Sequence, residues 1–277
     1  MSVRRAAVAG SWYPASAAAL TAAVETHLYA ADQDSPRQPP PGADLVALIA
    51  PHAGLIYSGP VAAHAYRSLR NRRHDVAVLI GPSHHVGFEG VSVWRRGAFE
   101  TPLGPLTIDH DTASRLIEAC PLVHELPSAH GREHSLEMQL PFLAALTPDL
   151  PIVPLVMGQQ TRETALTLGD CLAQVLEGRR ALLVASSDLS HFFDASTAAF
   201  LDRQVIAHVE ALDEEGLMTR LEERRDHACG GGPIVSVMRA AKALGATTSR
   251  VLRYANSGDV SGDTSSVVGY LAAAMWR

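Results

Sequence analysis

Four short, continuous apolar runs, separated by helix-like segments, constrain the fold of this chain more than any other feature. The runs lie at residues 45–50, 76–80, 154–157 and 181–185. Apolar runs of about 4–8 residues are typical of strands buried on both faces, and intervening helices are typical of the crossovers between parallel strands. We therefore predict an α/β fold, with a central, mainly parallel sheet flanked by helices.

Capping residues and apolar residues at helical spacing indicate where the helices lie. Ser16 is expected to cap a first helix that reaches about residue 29, and Asp109 to cap another that ends near residue 119. The remaining helices are predicted at residues 58–70, 132–145, 161–176, 195–211, 214–225 and 233–244. Closing strands are expected near residues 250–255 and 267–272.

One stretch resembles a linker, the polar and proline-rich segment at residues 32–42. Such a composition is typical of an extended connector. This segment is too near the N-terminus to separate two domains of ordinary size. We therefore predict a single domain over residues 1–277, in which an N-terminal helix and linker (1–43) pack on a core formed by residues 44–277.

Composition excludes several classes of protein. Hydrophobic residues make up 47% of the chain and charged residues 19%, which is unlike a disordered protein. The net charge of −6 argues against a nucleic-acid partner. The apolar runs are too short for a membrane helix or a signal peptide, so no membrane partner is expected. Three cysteines cannot form a disulfide framework, which favours a cytoplasmic protein.

Polar, chemically reactive residues directly follow three of the predicted strands. His52 follows the first strand, His84 and His85 follow the second, and Asp188 and His191 follow the last. Because ligands of open α/β sheets bind at the carboxyl ends of the strands, these side chains should meet at one rim. A single loop histidine more often only hydrogen-bonds to backbone. The same pattern at three strand ends favours a functional site.

Cys229 is a further candidate, because it precedes three glycines and Pro233, which begins a predicted helix. A helix N-terminus stabilises a thiolate, and glycines let the backbone approach a ligand or ion closely. A small buried residue beside a tight turn explains the same pattern equally well. Cys120 and Cys171 fall inside predicted helices and are expected to be packing residues.

His134 lies near the start of the helix predicted at residues 132–145. It could point into the cleft as an acid or a hydrogen-bond donor. Glu133 and Glu137 could merely favour the positive end of that helix.

Two histidines and one thiolate would form a three-ligand metal set with an open coordination position. Mixed nitrogen and sulfur donors suit zinc, copper or iron and disfavour magnesium or calcium. The sequence has neither an HExxH motif nor paired CxxC motifs. The hypothesis therefore depends on the predicted convergence of His52, of His84 or His85, and of Cys229.

At these residues the chain resembles the Memo family, called AmmeMemoRadiSam system protein B in prokaryotes. The matching stretches run in family order over nearly the whole chain: Ala9-Gly-Ser-Trp-Tyr13, Ala50-Pro-His-Ala-Gly54, Gly81-Pro-Ser-His-His-Val86, Glu133-His-Ser-Leu-Glu-Met138, Ser186-Ser-Asp188 with His191, and Cys229-Gly230 with Pro233. The resemblance implies the catalytic fold of the class III extradiol ring-cleaving dioxygenases. It also implies that His52, His84 and Cys229 are the metal ligands.

The same resemblance implies catalytic roles for three further residues. His191 would match the catalytic base of the dioxygenases, with Asp188 close by to orient it. His134 would match a second histidine of the pocket. Where the dioxygenases carry a carboxylate ligand, this chain has Cys229, and a thiolate donates more charge and is itself oxidisable. Ring cleavage therefore does not carry over.

Three functional hypotheses follow. The first is an iron(II)- or copper-dependent redox protein, dioxygenase-like, with zinc as the alternative metal and a small-molecule substrate whose identity the sequence does not indicate. The second is a non-catalytic metal- or partner-binding module that acts with radical-SAM and AMMECR-like partner proteins. The third is a metal-free thiol hydrolase or transferase, with Cys229 as nucleophile and His191 or His52 as base.

Overall fold

The computed structural model describes residues 3–34, 38–224 and 227–277 of the chain. Its strands are β1 (Val3–Arg4), β2 (Leu45–Ala50), β3 (Val76–Pro82), β4 (Val91–Val93), β5 (Ala98–Phe99), β6 (Leu106–Thr107), β7 (Val123–His124), β8 (Ile152–Met157), β9 (Ala181–Ser186), β10 (Asp188–Phe193), β11 (Thr248–Asn256) and β12 (Val267–Trp276). Its α-helices are α1 (Ala17–Gln33), α2 (Leu55–Tyr66), α3 (His110–Ala119), α4 (Pro127–Gly131), α5 (Leu140–Leu146), α6 (Arg162–Leu176), α7 (Ala195–Ala211), α8 (Glu214–Glu223), α9 (Gly231–Ala243) and α10 (Gly258–Ser261).

The four predicted apolar strands lie side by side at the centre of one sheet, in the order β2, β9, β3, β8, and all are parallel. Antiparallel pairing begins on either side of this centre, where β12 pairs with β2 and β4 pairs with β8. Beyond them, β10 and β11 pair with β12, and β7 pairs with β4. The predicted α/β fold is confirmed, with a parallel centre inside a larger mixed sheet.

Helices cover both faces of the central strands, because the side chains on both faces are apolar. In β3, Val76, Val78 and Ile80 belong to one hydrophobic cluster, and Ala77 and Leu79 belong to another on the opposite face. The first cluster includes residues of α3, α6, α7, α8 and α9. The second includes residues of α1, α2 and α5. The sheet is therefore the middle layer of a three-layer arrangement.

The N-terminal helix α1 packs on α2 and α5. Its N-cap is Ser16, whose side chain accepts a hydrogen bond from the Ala19 amide at 3.3 Å. Leu20, Val24 and Leu28 recur every four residues and are all buried. The helix runs to Gln33, four residues beyond the predicted end. Part of two predictions lies outside the described residues. These parts are residues 35–37 of the predicted linker and Arg225, the predicted end of the helix that begins at residue 214. Residues 1 and 2 also lie outside them.

The predicted helix over residues 132–145 is wrong in its first half. Helix α4 ends at Gly131, an irregular loop and a 3-10 turn (Glu137–Gln139) follow, and regular helix begins only at Leu140. Leu136, Leu140 and Leu143 do have helical spacing and are buried. However, the polar residues between them, Glu137 and Gln139, are also buried, and they hydrogen-bond to Tyr13 and Ser186 instead of facing solvent.

Two smaller differences concern other elements. Helix α2 begins at Leu55, three residues before the predicted start, with Gly54 as its N-cap. Asp188 and His191 follow β9, as predicted, and they also form part of a further short strand, β10. Among the described residues, no helix combines the length and apolar character needed to cross a bilayer.

Candidate metal centre

The candidate site lies at the carboxyl ends of three neighbouring parallel strands. His52 follows β2 by two residues, and His84 follows β3 by two residues. Strand β9 lies between β2 and β3 and ends at Ser186. Cys229 reaches the same place from the segment that precedes α9. One donor atom each of His52, His84 and Cys229 lies within 4.8 Å of the other two.

His52 is the most deeply buried of the three, with 1% of its surface exposed. Its Nε2 atom lies 3.2 Å from the Cys229 Sγ atom, and its Nδ1 atom lies 2.9 Å from the Ser186 Oγ atom. Burial, followed by the nearby charges of His84 and His134, lowers the pKa of His52 well below its ordinary value. The imidazole is therefore neutral at pH 7, which is the form that binds metal ions.

His84 opens the site to solvent, because 29% of its side chain is exposed. Its orientation is set by Glu133, whose carboxylate accepts hydrogen bonds from the His84 amide at 2.6 Å and lies 2.9 Å from the His84 Nδ1 atom. The same carboxylate accepts from the amides of His134 and Ser135 at 2.9 and 2.8 Å. Burial alone would raise the pKa of Glu133, but its hydrogen bonds with His84 and Ser135 hold that pKa well below the usual range.

Cys229 is held against the end of β9 by backbone contacts. Its amide donates to the Asp188 carbonyl at 3.2 Å, and the Asp188 amide donates to its Sγ atom at 3.3 Å. The next amide, of Gly230, donates to the Ser187 Oγ atom at 2.9 Å. A Cβ atom at Gly230 would lie 2.4 Å from the Ser186 carbonyl oxygen, so only glycine allows this approach. Burial and the Asp188 carboxyl raise the pKa of the Cys229 thiol far above its ordinary value.

Asp188 and His191 both lie on β10, the strand whose first residue contacts Cys229 Sγ. The Asp188 carboxylate accepts hydrogen bonds from the amides of His52 at 2.7 Å and Ala53 at 3.3 Å, and burial raises its pKa to about 7. His191 is half-buried, and its Nδ1 atom lies 2.8 Å from the Leu189 carbonyl oxygen. Asp188 therefore positions the segment that carries His52, whereas a backbone carbonyl orients His191.

His134 lies between two aromatic neighbours. Its ring centroid is 4.3 Å from that of Trp12 and 4.4 Å from that of His84, with which it is stacked. Burial and the nearby charge of His84 lower the pKa of His134 to about 4. His85 is exposed, and its ring lies 5.9 Å from that of His134. Of the two adjacent histidines, the structure brings His84, not His85, to the other donor atoms.

Several residues around the ligands were missed in the sequence analysis. Glu133 was considered only as a helix-end charge, and Trp12, Ser186 and Gln139 were assigned no role. The available signal was the density of polar residues at 133–139 and at the end of β9. That signal does not identify partners, because a buried polar side chain finds its hydrogen-bonding group through tertiary structure.

The fold and the site together define a class: an α/β protein with two histidines and one cysteine clustered at the carboxyl edge of its parallel strands. The chain belongs to the family described as Memo-like protein, whose pattern matches residues 4–274. A MEMO1 family protein of Methanothermobacter thermautotrophicus is 39% identical over 273 residues, covering 97% of this chain and 98% of that one. A MEMO1 family protein of Methanopyrus kandleri is 37% identical over 280 residues, covering 99% of each chain.

A crystal structure of an uncharacterized protein from Escherichia coli K12 has a similar fold. The two structures superpose with a TM-score of 0.57, at 19% sequence identity, over 82% of this chain and 99% of that one. At this identity the likeness concerns the fold alone. The predicted resemblance to the Memo family is confirmed by the family match and the two archaeal relatives.

Proposed function

We propose that this protein binds a single iron(II) or copper ion through His52, His84 and Cys229, and that it is a redox protein with a dioxygenase-like site. The observation that carries the proposal is the convergence of these three donor atoms within 4.8 Å. Of these atoms, His52 Nε2 and Cys229 Sγ lie 3.2 Å apart, close enough for both to contact one ion.

The chemistry of the donor set also fits a metal ion. A neutral imidazole with an available nitrogen and a thiol with a neighbouring amide donor are ready to bind a soft or borderline cation. Because the Cys229 pKa is strongly raised, the thiol keeps its proton until a cation replaces it. The same protonated thiol is a poor nucleophile, which argues against the metal-free hydrolase or transferase hypothesis.

A bound iron or copper ion would supply Lewis acidity and one-electron redox chemistry at this site. The protein's own proton-transfer group would be His191. Its Nδ1 atom is engaged by the Leu189 carbonyl, which can only accept, so Nδ1 carries the hydrogen and Nε2 carries the lone pair. Burial lowers the pKa of His191, which keeps the ring neutral and able to take a proton at pH 7.

The metal content of the protein tests this proposal. Protein purified without oxygen, and protein reloaded with iron(II), copper or zinc, should contain about one metal ion per chain by elemental analysis. His52→Ala and Cys229→Ser should lose that metal. Cys171→Ser, a change at a buried cysteine on α6, is the matched control and should keep it. An unchanged metal content in both site variants would refute the proposal.

A non-catalytic metal-binding module acting with a radical-SAM and an AMMECR-like protein in the cytoplasm is the second candidate. It is favoured by exposed apolar side chains next to the site, Ile56 at 65% and Phe192 at 77% exposure, which suit contact with another molecule. This candidate predicts a metal-loaded protein that consumes no oxygen with reducing substrates. Steady turnover that is abolished in His191→Ala would exclude it.

A further inference from the structure

The hydrogen bonds behind His52 determine which of its ring nitrogens carries the hydrogen. The Gln139 Nε2 atom lies 3.1 Å from the Pro51 carbonyl oxygen and 2.7 Å from the Ser186 Oγ atom. A carbonyl oxygen can only accept, so the amide nitrogen of Gln139 must face Pro51. Its Oε1 atom is then free to accept from the Tyr66 hydroxyl, which lies 2.9 Å away. The Gln139 amide therefore donates to Ser186.

The hydrogen bonds of the Ser186 hydroxyl then determine which nitrogen of His52 carries the hydrogen. Its single hydrogen is directed to the Ser135 carbonyl oxygen at 2.6 Å, an acceptor that has no hydrogen to give. Ser186 Oγ already accepts from Gln139, so its remaining capacity is that of an acceptor. The His52 Nδ1 atom, 2.9 Å away, must then donate to it. The lone pair of His52 consequently lies on Nε2, which faces Cys229 Sγ.

A different group imposes the same state on His84. The Glu133 carboxylate, 2.9 Å from His84 Nδ1, already accepts from three backbone amides, those of His84, His134 and Ser135. The amides of His134 and Ser135 both donate to Oε1, the oxygen that faces His84 Nδ1, so this oxygen carries no hydrogen and can only accept. His84 Nδ1 therefore donates, and its lone pair also lies on Nε2.

We infer that Glu133 and Ser186, the latter held by Gln139, are positioning residues that hold both ligand imidazoles in the Nδ1–H state before any metal binds. The tautomers follow from the hydrogen bonds alone, whereas the effect on metal affinity rests on the proposed function. Partners that fix the tautomer and orientation of metal-binding histidines typically contribute a factor of about 10–100 in affinity. The site is thus prepared for a cation by hydrogen bonds formed during folding.

Nuclear magnetic resonance of the metal-free protein tests the tautomers directly. In protein labelled with ¹⁵N-histidine, long-range ¹H–¹⁵N correlations distinguish Nδ1–H from Nε2–H, and His52→Gln and His84→Gln assign the two rings by loss of their signals. Both rings should show Nδ1–H at pH 7.5. An Nε2–H signal from either ring of the wild-type protein would overturn the inference, whatever the variants do.

Two substitutions test the link from tautomer to metal affinity. Ser186→Ala should disturb the Nδ1–H signal of His52 and weaken iron(II) binding at least tenfold, and Glu133→Gln should do the same through His84. Ser236→Ala, at an equally buried serine that bonds to the carbonyls of Ala165 and Gly232, is the matched control and should change neither.

The possible results separate the inference from the proposed function. If Ser186→Ala folds and alters the His52 signal but leaves the iron(II) affinity unchanged, the positioning role is refuted and the metal site stands. If wild-type protein binds no metal while both rings show Nδ1–H, the proposed function fails and the tautomer assignment is supported.

Discussion

The buried histidines of this protein have different surroundings and different roles. His52 has a ring nitrogen directed at another donor atom, whereas His130 is enclosed in the protein away from the donor set. The His130 Nε2 atom lies 3.0 Å from the Ser92 Oγ atom, and its ring contacts those of Trp94 and Phe99 edge to face. Burial and the charge of Arg4 lower the pKa of His130 to about 3. His130 is thus a structural residue that must remain neutral.

We predict that His130 makes the protein sensitive to acid. Its pKa in the folded state lies below the unfolded value of about 6.5, so the unfolded chain binds a proton first. Its contribution to stability is complete above pH 6.5 and is lost as the pH falls towards about 3. The loss is at most about 1.4 kcal/mol for each pH unit. Urea denaturation at several pH values should show this decline in the wild-type protein.

The variant His130→Phe measures how much of this loss of stability at low pH is due to His130. Phenylalanine suits the aromatic surroundings but does not titrate, so the free energy of unfolding should depend less steeply on pH between 6.5 and 3. At pH 8 the variant should be less stable by about 1 kcal/mol, because its bond to Ser92 is lost. Equal slopes for the two proteins would show that His130 is not responsible.

At the scale of elements, the N-terminal segment is tied to the loop that carries His134. Arg4 and Glu137 are both buried and form an ion pair. Glu137 also accepts from the Ala7 and Val8 amides at 2.8 and 3.0 Å and from the Tyr13 hydroxyl at 2.6 Å. Arg4 donates in addition to the carbonyl of His130, near the end of α4, and to that of Glu133 in the loop. These contacts of Arg4 and Glu137 fix the N-terminal segment, which places Trp12 beside the site.

We predict that Arg4→Met destabilises the protein by about 3–5 kcal/mol, because it leaves the Glu137 charge buried and unpaired. The double variant Arg4→Met with Glu137→Gln should recover part of that loss, since the remaining partner is neutral. Urea denaturation measures both. Arg180→Met, which breaks an exposed pair with Asp75, is the control and should have little effect. An Arg4→Met protein as stable as this control would contradict the prediction.

At the scale of the whole molecule, the sheet assembles a site from parts that are far apart in the sequence. His52 and His84 are close because β9 joins β2 and β3 edge to edge. Cys229 joins them because α9 begins beside the end of β9, where Gly230 permits close packing. None of these contacts exists in the unfolded chain. A cation bound by all three residues would therefore stabilise the folded state alone.

We predict that metal raises the melting temperature of the protein. At a free metal concentration 100 times Kd, the stabilisation should be about 2.7 kcal/mol. Chelation should reverse the shift, and Cys229→Ser should abolish it while Cys171→Ser retains it. Differential scanning calorimetry measures the change. An equal rise in wild-type and Cys229→Ser protein would mean that the metal binds somewhere else.

Much of the fold and some of the site were predictable because they depend on local pattern. A strand buried on both faces must be apolar along its length, so the four central strands were recognisable from their composition alone. Capping is equally local, and Ser16 and Asp109 cap α1 and α3 as expected. Strand β10 was not recognised, because its residues form no apolar run and its pairing with β12 is interrupted by register shifts.

By itself, the sequence determined the α/β class, the central strands, most helices and the family, because these follow from periodicity, capping and motif order. The residue pattern alone left His84 and His85 open, and the family resemblance implied His84. Only the tertiary structure shows how the donor atoms of His52, His84 and Cys229 come together. It also decided that residues 132–136 form a loop whose Glu133 binds His84. The periodicity of apolar residues predicts that a side chain is buried. The hydrogen-bond partner of a buried polar group depends instead on which distant segments the sheet brings together.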